Sequence, residues 1–161
     1  MIIDSNYIRE IRDISSNVDD VKRIDPYIEE AEKEWVIPSI GAKLYKDLID
    51  KVESENNTTL LEGGYYNGDT AYLSGLKKAV SYLAYSRYVR NSNVFLTSSG
   101  ARTKGSLEFS DSVDDRAVVR VANEAEKRGI KLLDECVAYL NYIGSQAVRV
   151  KSKKKFIIIG N

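Results

Sequence analysis

The chain has 161 residues, 43% hydrophobic and 30% charged, so it is long enough for one folded domain and too apolar for wholesale disorder. Its 24 basic and 24 acidic residues give a formal net charge of zero, which provides no overall attraction to nucleic acid or to an anionic membrane. Histidine is absent, which excludes histidine-dependent catalytic triads and removes the commonest zinc ligand.

Two helix starts are visible near the N-terminus. Asp4 or Ser5 can cap a short helix whose apolar residues recur at helical spacing. Further on, Asp25-Pro26 combines an Asp cap with proline at the first helical position, which is typical of a helix start. We therefore expect two helices in the first quarter of the chain.

The second of these helices is predicted to reach about Val36. Pro38 should end it, because an interior proline removes a backbone donor, and residues 39–41 should form a corner. A further helix is predicted over residues 44–52. Residues 53–68 are polar and rich in glycine, so we expect a surface loop there.

A long helix is predicted to start at Asp69 or Thr70 and to end near Asn91, with a strong apolar stripe. Residues 94–109 then change to alternating apolar and polar chemistry, which predicts a β-hairpin or extended arm. The residues expected to make the arm's contacts are Phe95, Leu96, Leu107 and Phe109.

The last helix is predicted to open at Ser110 or Ser112, to run to about Ile143, and to end at Gly144. A glycine inside it, Gly129, costs about 1 kcal/mol relative to alanine and is expected to mark a bend. Its predicted inner positions are Val118, Val121, Ala125, Ile130, Leu133, Val137 and Leu140.

The C-terminal tail combines basic and β-prone residues. From Ala147 onward it contains no acidic residue, and it closes on four consecutive bulky apolar side chains. Such a segment favours strand pairing, either with this protein's own arm or with the sheet of a neighbour. The residues assigned to partner binding are Arg149, Lys151, Lys153, Lys154, Lys155, Phe156, Ile157, Ile158 and Ile159.

The predicted fold is mainly α: a bundle of four to five helices with a mid-chain β-hairpin arm and a β-prone tail. Residues 1–144 form the helical domain, including the arm at residues 94–109, and residues 145–161 form the tail. A single cysteine excludes an intramolecular disulfide, and no run of apolar residues is long enough for a membrane span. We therefore expect a soluble, intracellular protein.

Clustered carboxylates are the one feature that favours an enzyme. Glu30 and Glu34 lie one helical turn apart, and more carboxylates follow on the last helix at Glu124, Glu126, Asp134 and Glu135. Such pairs hold Mg²⁺ in all-α nucleotide pyrophosphohydrolases, so a hydrolase of this class is the alternative function. Lysines interleaved among them favour solvated ion pairs instead.

Tyrosine occurs eleven times, and Tyr82, Tyr85 and Tyr88 lie beside Arg87 and Arg90 on one predicted helix. Base stacking is one interpretation of this pattern. Packing against the core, or contact with a protein partner, fits a chain of zero net charge better.

One stretch resembles the opening of the head–tail connector proteins of tailed phages and prophages. In that family a "PYI-x-x-A" helix leads to a proline–glycine corner and then to an "LY-x-x-L" helix. The matching positions are Pro26, Tyr27, Ile28, Ala31, Ile37, Pro38, Ile40, Gly41, Leu44, Tyr45 and Leu48.

The resemblance implies a structural protein without enzymatic activity, metal or cofactor. It implies a ring of about a dozen copies that bridges the portal and the tail, with DNA only passing through its channel. The partners would then be further copies of the chain, the portal protein and tail proteins, with no membrane involved. The ring would assemble in the host cytoplasm and remain in the virion, and the tail from Lys153 to Ile159 would dock into the portal.

Overall fold

A computed structural model of the protein describes residues 1–12, 14, 23–91, 94–97, 100–103 and 115–144. Its helical elements are α1 (Ser5–Ile11), α2 (Asp25–Ala31), a π-helical segment (Glu32–Val36), α3 (Ile37–Ile40), α4 (Ala42–Ile49), α5 (Glu55–Glu62), α6 (Leu76–Asn91) and α7 (Asp115–Tyr142). Two antiparallel hairpins accompany them, β1 (Gly64–Tyr66) with β2 (Ala71–Leu73) and β3 (Val94–Thr97) with β4 (Gly100–Thr103). The predicted mainly helical fold with a mid-chain hairpin is confirmed.

The core lies between α6 and α7, which pack side by side with α1 and α2 against α6. The two long helices run antiparallel, because Ser74 just before α6 meets Glu135, whereas Arg90 near the end of α6 meets Asn123. Apolar residues at helical spacing face this seam from both sides. Those with at most 2% exposure on α6 and α7 are Leu76, Ala79, Val80, Leu83, Ala84, Ala122, Leu132, Cys136, Val137 and Leu140.

The N-terminal helix starts as predicted. Asp4 caps α1 by accepting a hydrogen bond from the Tyr7 amide at 3.0 Å. The Asp25-Pro26 signal also marks a helix start, with Ile24 in the capping position and Asp25 already helical. Ile8 and Ile28 then turn their side chains into the core.

The helix that begins at Asp25 does not end at Pro38, so that prediction was wrong. The backbone stays in the right-handed helical region through the π-helical segment and α3, as far as Ile40. The Ile37 amide donates to the Glu32 carbonyl, which is one residue further back than in an α-helix. This wider turn gives the ring of Pro38 room beside a preceding carbonyl with which it would otherwise clash.

The predicted corner follows at Gly41. Its φ of +88° lies in the left-handed region that favours glycine, and the chain turns there from α3 into α4. Leu48 buries its side chain on the far side of this corner, while Leu44 and Tyr45 are half-buried.

The prediction of a surface loop over residues 53–68 was wrong, because α5 and β1 lie there. Ser54 caps α5 by accepting from the Asn57 amide at 3.0 Å, and Leu60 is buried in the core. One buried leucine anchors the helix, although its polar residues hide the helical pattern.

The prediction that the long helix starts at Asp69 or Thr70 was also wrong. These two residues lie in the turn between β1 and β2, and α6 begins only at Leu76. The hairpin pairs Tyr65 with Tyr72, so Tyr72, which was predicted to lie on the helix, lies on a strand instead.

The last helix is present from Asp115 to Tyr142, with Gly144 following it at a φ of +80°. The predicted start at Ser110 or Ser112 lies outside the described residues. Ala125, Leu133, Val137 and Leu140 are buried as expected; Val121 is exposed, so its assignment as an inner residue was wrong. Val118 and Ile130 are half-buried. Within the described parts of the chain, no helix is long and apolar enough to cross a membrane.

Candidate interaction surface

The predicted arm is present as the hairpin β3–β4, which follows α6 and precedes α7 in the chain. Its register runs from Val94 opposite Thr103 to Thr97 opposite Gly100. Among the described residues, β3 pairs only with β4. The outer edge of each strand therefore has no neighbouring strand within that part of the chain. Such edges can accept a further strand.

The sequence-predicted partner residues fall into two groups. Phe95 and Leu96 lie on β3, opposite Arg102 and Ala101. The others lie outside the described residues: Leu107, Phe109, Arg149, Lys151, Lys153, Lys154, Lys155, Phe156, Ile157, Ile158 and Ile159.

The first carboxylate pair of the enzymatic alternative binds an arginine. Arg87 on α6 contacts Glu30 at 3.1 Å and also contacts Glu34, while its guanidinium lies 4.7 Å from the centre of the Trp35 ring. These contacts tie α2 and the π-helical segment to α6. Across the described ranges, no group of three or more Cys, Asp or Glu side chains is placed to hold a metal ion.

Glu32 lies beside that pair but points the other way, into the core, and is only 1% exposed. Its two carboxylate oxygens accept hydrogen bonds from the Ile2 amide and, at 2.6 Å, from the Tyr45 hydroxyl. Burial, followed by this hydrogen bond, raises the pKa of Tyr45 above its ordinary value. Glu32 therefore connects the N-terminus, the π-helical segment and α4.

The second carboxylate cluster is likewise divided among structural contacts. Glu126 is buried on α7 and accepts from Arg90 at 2.9 Å, while Asn123 accepts from the same guanidinium at 2.8 Å. Glu135 accepts from the Ser74 hydroxyl at 3.0 Å. These bonds hold α7 to both ends of α6.

Cys136 is fully buried in the same seam. Burial, with a smaller contribution from Glu135, raises the pKa of its thiol from 9.0 to about 12. A thiol of this kind is a packing group, because the reactive form is the thiolate.

The tyrosines of α6 lie half-buried against the core, as the packing interpretation expects. The Arg12 guanidinium stacks 3.8 Å from the centre of the Tyr82 ring and 5.4 Å from that of Tyr85. Tyr85 in turn contacts Tyr88, with ring centres 6.4 Å apart. These contacts hold the residue that follows α1 against α6, and they use the ring faces of Tyr82 and Tyr85 for an arginine of the same chain.

A tyrosine surface that the sequence analysis missed lies on the β1–β2 hairpin. Tyr65 and Tyr72 are cross-strand partners with ring centres 5.0 Å apart, and they remain 67% and 59% exposed. On the other face of the hairpin, Tyr66 packs against Tyr139 and Tyr142 of α7. The signal in the sequence was a pair of aromatic segments flanking an Asn-Gly-Asp turn.

A basic stripe lies on the outer face of α7, formed by Arg120, Lys127 and Lys131. The spacings of seven and four residues place these exposed side chains in one row along the helix, and the exposed Glu124 lies in the same row, one turn from both Arg120 and Lys127. Val119 lies beside the row and is 48% exposed, which is high for an apolar side chain on a helix that packs against the core.

Comparison with known proteins gives one match. The model of a family of unknown function, DUF6712, matches residues 36–146, a range that begins in the π-helical segment and extends beyond α7. No curated protein and no solved structure matches the chain.

Proposed function

The chain belongs to the DUF6712 family, and for it we propose the function of a structural, non-enzymatic subunit in a ring that connects the head and the tail of a tailed phage. The ring would bridge portal and tail through protein–protein contacts, and it would belong to the virion after assembly in the host cytoplasm. DNA would pass through the ring without being recognised.

The observation that carries this proposal is the position of the arm. The hairpin β3–β4 interrupts the chain between α6 and α7, which otherwise form the central packing pair of the core. Two strands of four residues are marginally stable alone, so an arm of this kind gains most when it packs on another surface. A subunit that must hold its neighbours benefits from such an element.

The connector-like segment supports the same proposal. Its residues form one continuous helical segment, in which α2, the π-helical segment and α3 lead to the corner at Gly41 and then to α4. Tyr45, one of the matching positions, bonds to the buried Glu32. The segment thus packs as part of the helical core, against α6, which leads into the arm.

The described buried polar groups also fit a structural role. Glu32 and Glu126 each accept hydrogen bonds from other parts of the same chain, and the hydroxyls of Ser81 and Ser86 donate to backbone carbonyls one turn earlier. Groups used in this way stabilise the fold and are not poised for proton transfer.

The test is the molar mass of the purified full chain, measured by light scattering over a concentration series, with negative-stain images of any large species. We expect a closed ring. Two variants locate the contacts: deletion of residues 147–161, and the double substitution Phe95→Asp with Leu96→Asp in the arm. Both should keep the helical circular dichroism and lose association or binding to portal protein.

The matched control for the arm variant is Ala42→Asp, since Ala42 is an exposed apolar residue at the start of α4, outside the arm. It should assemble like the unmodified chain. Unchanged association in both the tail deletion and the arm variant would contradict the proposal, and turnover of a nucleotide with Mg²⁺ that is lost in Glu30→Gln would favour the enzymatic alternative.

A further inference from the structure

Although the chain has zero net charge, basic and acidic residues are distributed unevenly along α7. Residues 116–131 contain two acidic residues, and one of them, Glu126, is buried against Arg90. The same range contains five basic residues: Arg116, Arg120, Lys127, Arg128 and Lys131. The exposed charges from Arg120 to Lys131 are therefore net positive, with Glu124 as the one exposed carboxylate among them and Val119 as an apolar spot beside them.

The opposite end of α7 meets α5 and the β1–β2 hairpin. The Tyr139 ring lies 5.1 Å from that of Tyr66, and the Tyr139 hydroxyl lies 3.3 Å from the amide oxygen of Asn56. The neighbouring carboxylate of Glu55 is one cause of a raised pKa at Tyr139, after burial.

This end of the molecule is acidic. Residues 50–69 contain one basic residue, Lys51, and the acidic residues Asp50, Glu53, Glu55, Glu62 and Asp69. All five carboxylates belong to exposed residues, and Glu62 forms an ion pair with Lys77. The exposed rings of Tyr65 and Tyr72 lie on the hairpin that follows α5. We call this surface the tyrosine end, and the row of Arg120, Lys127 and Lys131 with Val119 the basic stripe.

We propose that the basic stripe of one copy docks onto the tyrosine end of a second copy. Positive charge would then meet negative charge, which steers association and fixes its register. Lysine and arginine also bind the faces of tyrosine rings, and exposed tyrosines are the residues that interface centres concentrate.

The two surfaces lie at different ends of the same helix, so the contact is head-to-tail and not self-complementary. Each copy that uses its basic stripe leaves its tyrosine end open for the next copy. A head-to-tail contact closes into a ring when the rotation between copies allows it, and otherwise continues as a filament. The inference rests on the self-association in the proposed function and names the two surfaces that would carry it.

Two double charge reversals in the full chain test this pairing: Lys127→Glu with Lys131→Glu on the stripe, and Glu53→Lys with Glu55→Lys at the tyrosine end. All four side chains are exposed, so the fold should persist, as checked by circular dichroism. Light scattering should show that each variant alone needs at least about tenfold more protein to associate.

An equimolar mixture of the two variants is the decisive sample. In the mixture the reversed, acidic stripe of the first variant can bind the reversed, basic tyrosine end of the second. The unmodified stripe of the second variant can bind the unmodified tyrosine end of the first, so association should return to the level of the unmodified chain. The matched control is Lys43→Glu with Lys46→Glu, two exposed lysines on α4, which should associate like the unmodified chain. If a double variant fails to fold, Arg120→Glu takes its place for the stripe.

Different failures have different meanings. Rings that form from both variants alone would overturn the named surfaces while leaving the proposed ring function supported. A mixture that stays dissociated would overturn the pairing of these two surfaces. An unmodified chain that remains monomeric throughout the series would overturn both this inference and self-assembly of the ring.

Discussion

Leu83 on α6 packs directly onto Gly129 on α7, where a Cβ added to the glycine would meet the Leu83 Cγ at 2.7 Å and its backbone nitrogen at 3.1 Å. The glycine therefore lets the two long helices approach closely at the centre of their seam. From sequence it indicated a bend; in the structure it lies inside a continuous helix at the point of contact.

Gly129→Ala should lower the free energy of unfolding by about 1–3 kcal/mol, because overpacking a core seam outweighs the gain in helix propensity of about 1 kcal/mol. Urea denaturation measures the difference. In a Leu83→Ala background the same change should cost less, since the side-chain contacts at 2.7 and 2.8 Å are gone and only the contact with the backbone nitrogen remains. Equal destabilisation in both backgrounds would show that the contact is not the cause.

Tyr45→Phe should lower the free energy of unfolding by about 1–3 kcal/mol. The substitution leaves a buried oxygen of Glu32 without its donor, and that loss exceeds the value of the bond itself. Tyr65→Phe on the exposed hairpin face is the matched control and should change stability by less than about 0.5 kcal/mol. Equal effects in the two variants would argue against the buried contact.

Alkaline pH should also weaken the fold through Tyr45. Its pKa is raised in the folded protein, so the folded state holds the phenolic proton more tightly than the unfolded chain, where the ordinary value is 10.0. This contribution is complete below pH 10 and is lost as the pH rises further. The free energy of unfolding should therefore fall less steeply above pH 10 in Tyr45→Phe than in the unmodified chain; parallel curves would contradict this assignment.

The end of the helix near Pro38 could not be predicted from local sequence rules. Local rules identify Asp4 as a cap and Gly41 as a corner, because those signals act within one turn of the chain. The passage of the helix through Pro38 depends instead on a π-helical turn, which no local pattern shows. The fold class was thus predictable from the sequence, whereas this boundary required the tertiary structure.

The same distinction applies to the interaction surfaces. The arm was predictable, because alternation between two turn segments is a local signal. The tyrosine end was not, since Tyr65 and Tyr72 were assigned to a loop and a helix, and their pairing follows only from the strand register. The basic stripe can be found from residue spacing alone. Its position at the other end of α7 from the tyrosine end follows only from the packing of α5.

Cys136 should be inert in the native protein and reactive after unfolding. Its pKa of about 12, against an ordinary 9.0, reduces the thiolate fraction at pH 8 by about a thousandfold, and burial blocks access in addition. The rate of labelling with a chromogenic disulfide reagent should be at least about a thousandfold lower for the native protein in buffer than for the unfolded protein in urea. The Cys136→Ala variant provides the blank, because the chain has no other cysteine. Native labelling at the unfolded rate would contradict the burial of this thiol.

Gly75→Ala should destabilise the protein more than Gly68→Ala, although both glycines have positive φ angles. At Gly68 there is nothing within 4 Å of an added Cβ, so the cost is the backbone strain alone, about 1 kcal/mol. At Gly75 the Cβ would also meet the backbone carbonyl oxygen of Leu61 at 2.7 Å. That oxygen belongs to α5, which cannot yield as a side chain would, so we expect a loss of about 2–4 kcal/mol in urea denaturation.

These two glycine variants should also differ in association, because Gly75 joins the β1–β2 hairpin to α6 where α5 passes close by. A shift at that crossing would move Tyr65 and Tyr72 relative to the acidic residues of α5. Gly75→Ala should therefore weaken self-association more than Gly68→Ala does, at concentrations where both variants remain folded. If light scattering shows the two variants associating equally while only Gly75→Ala is destabilised, the hairpin supports the fold without positioning the tyrosine end.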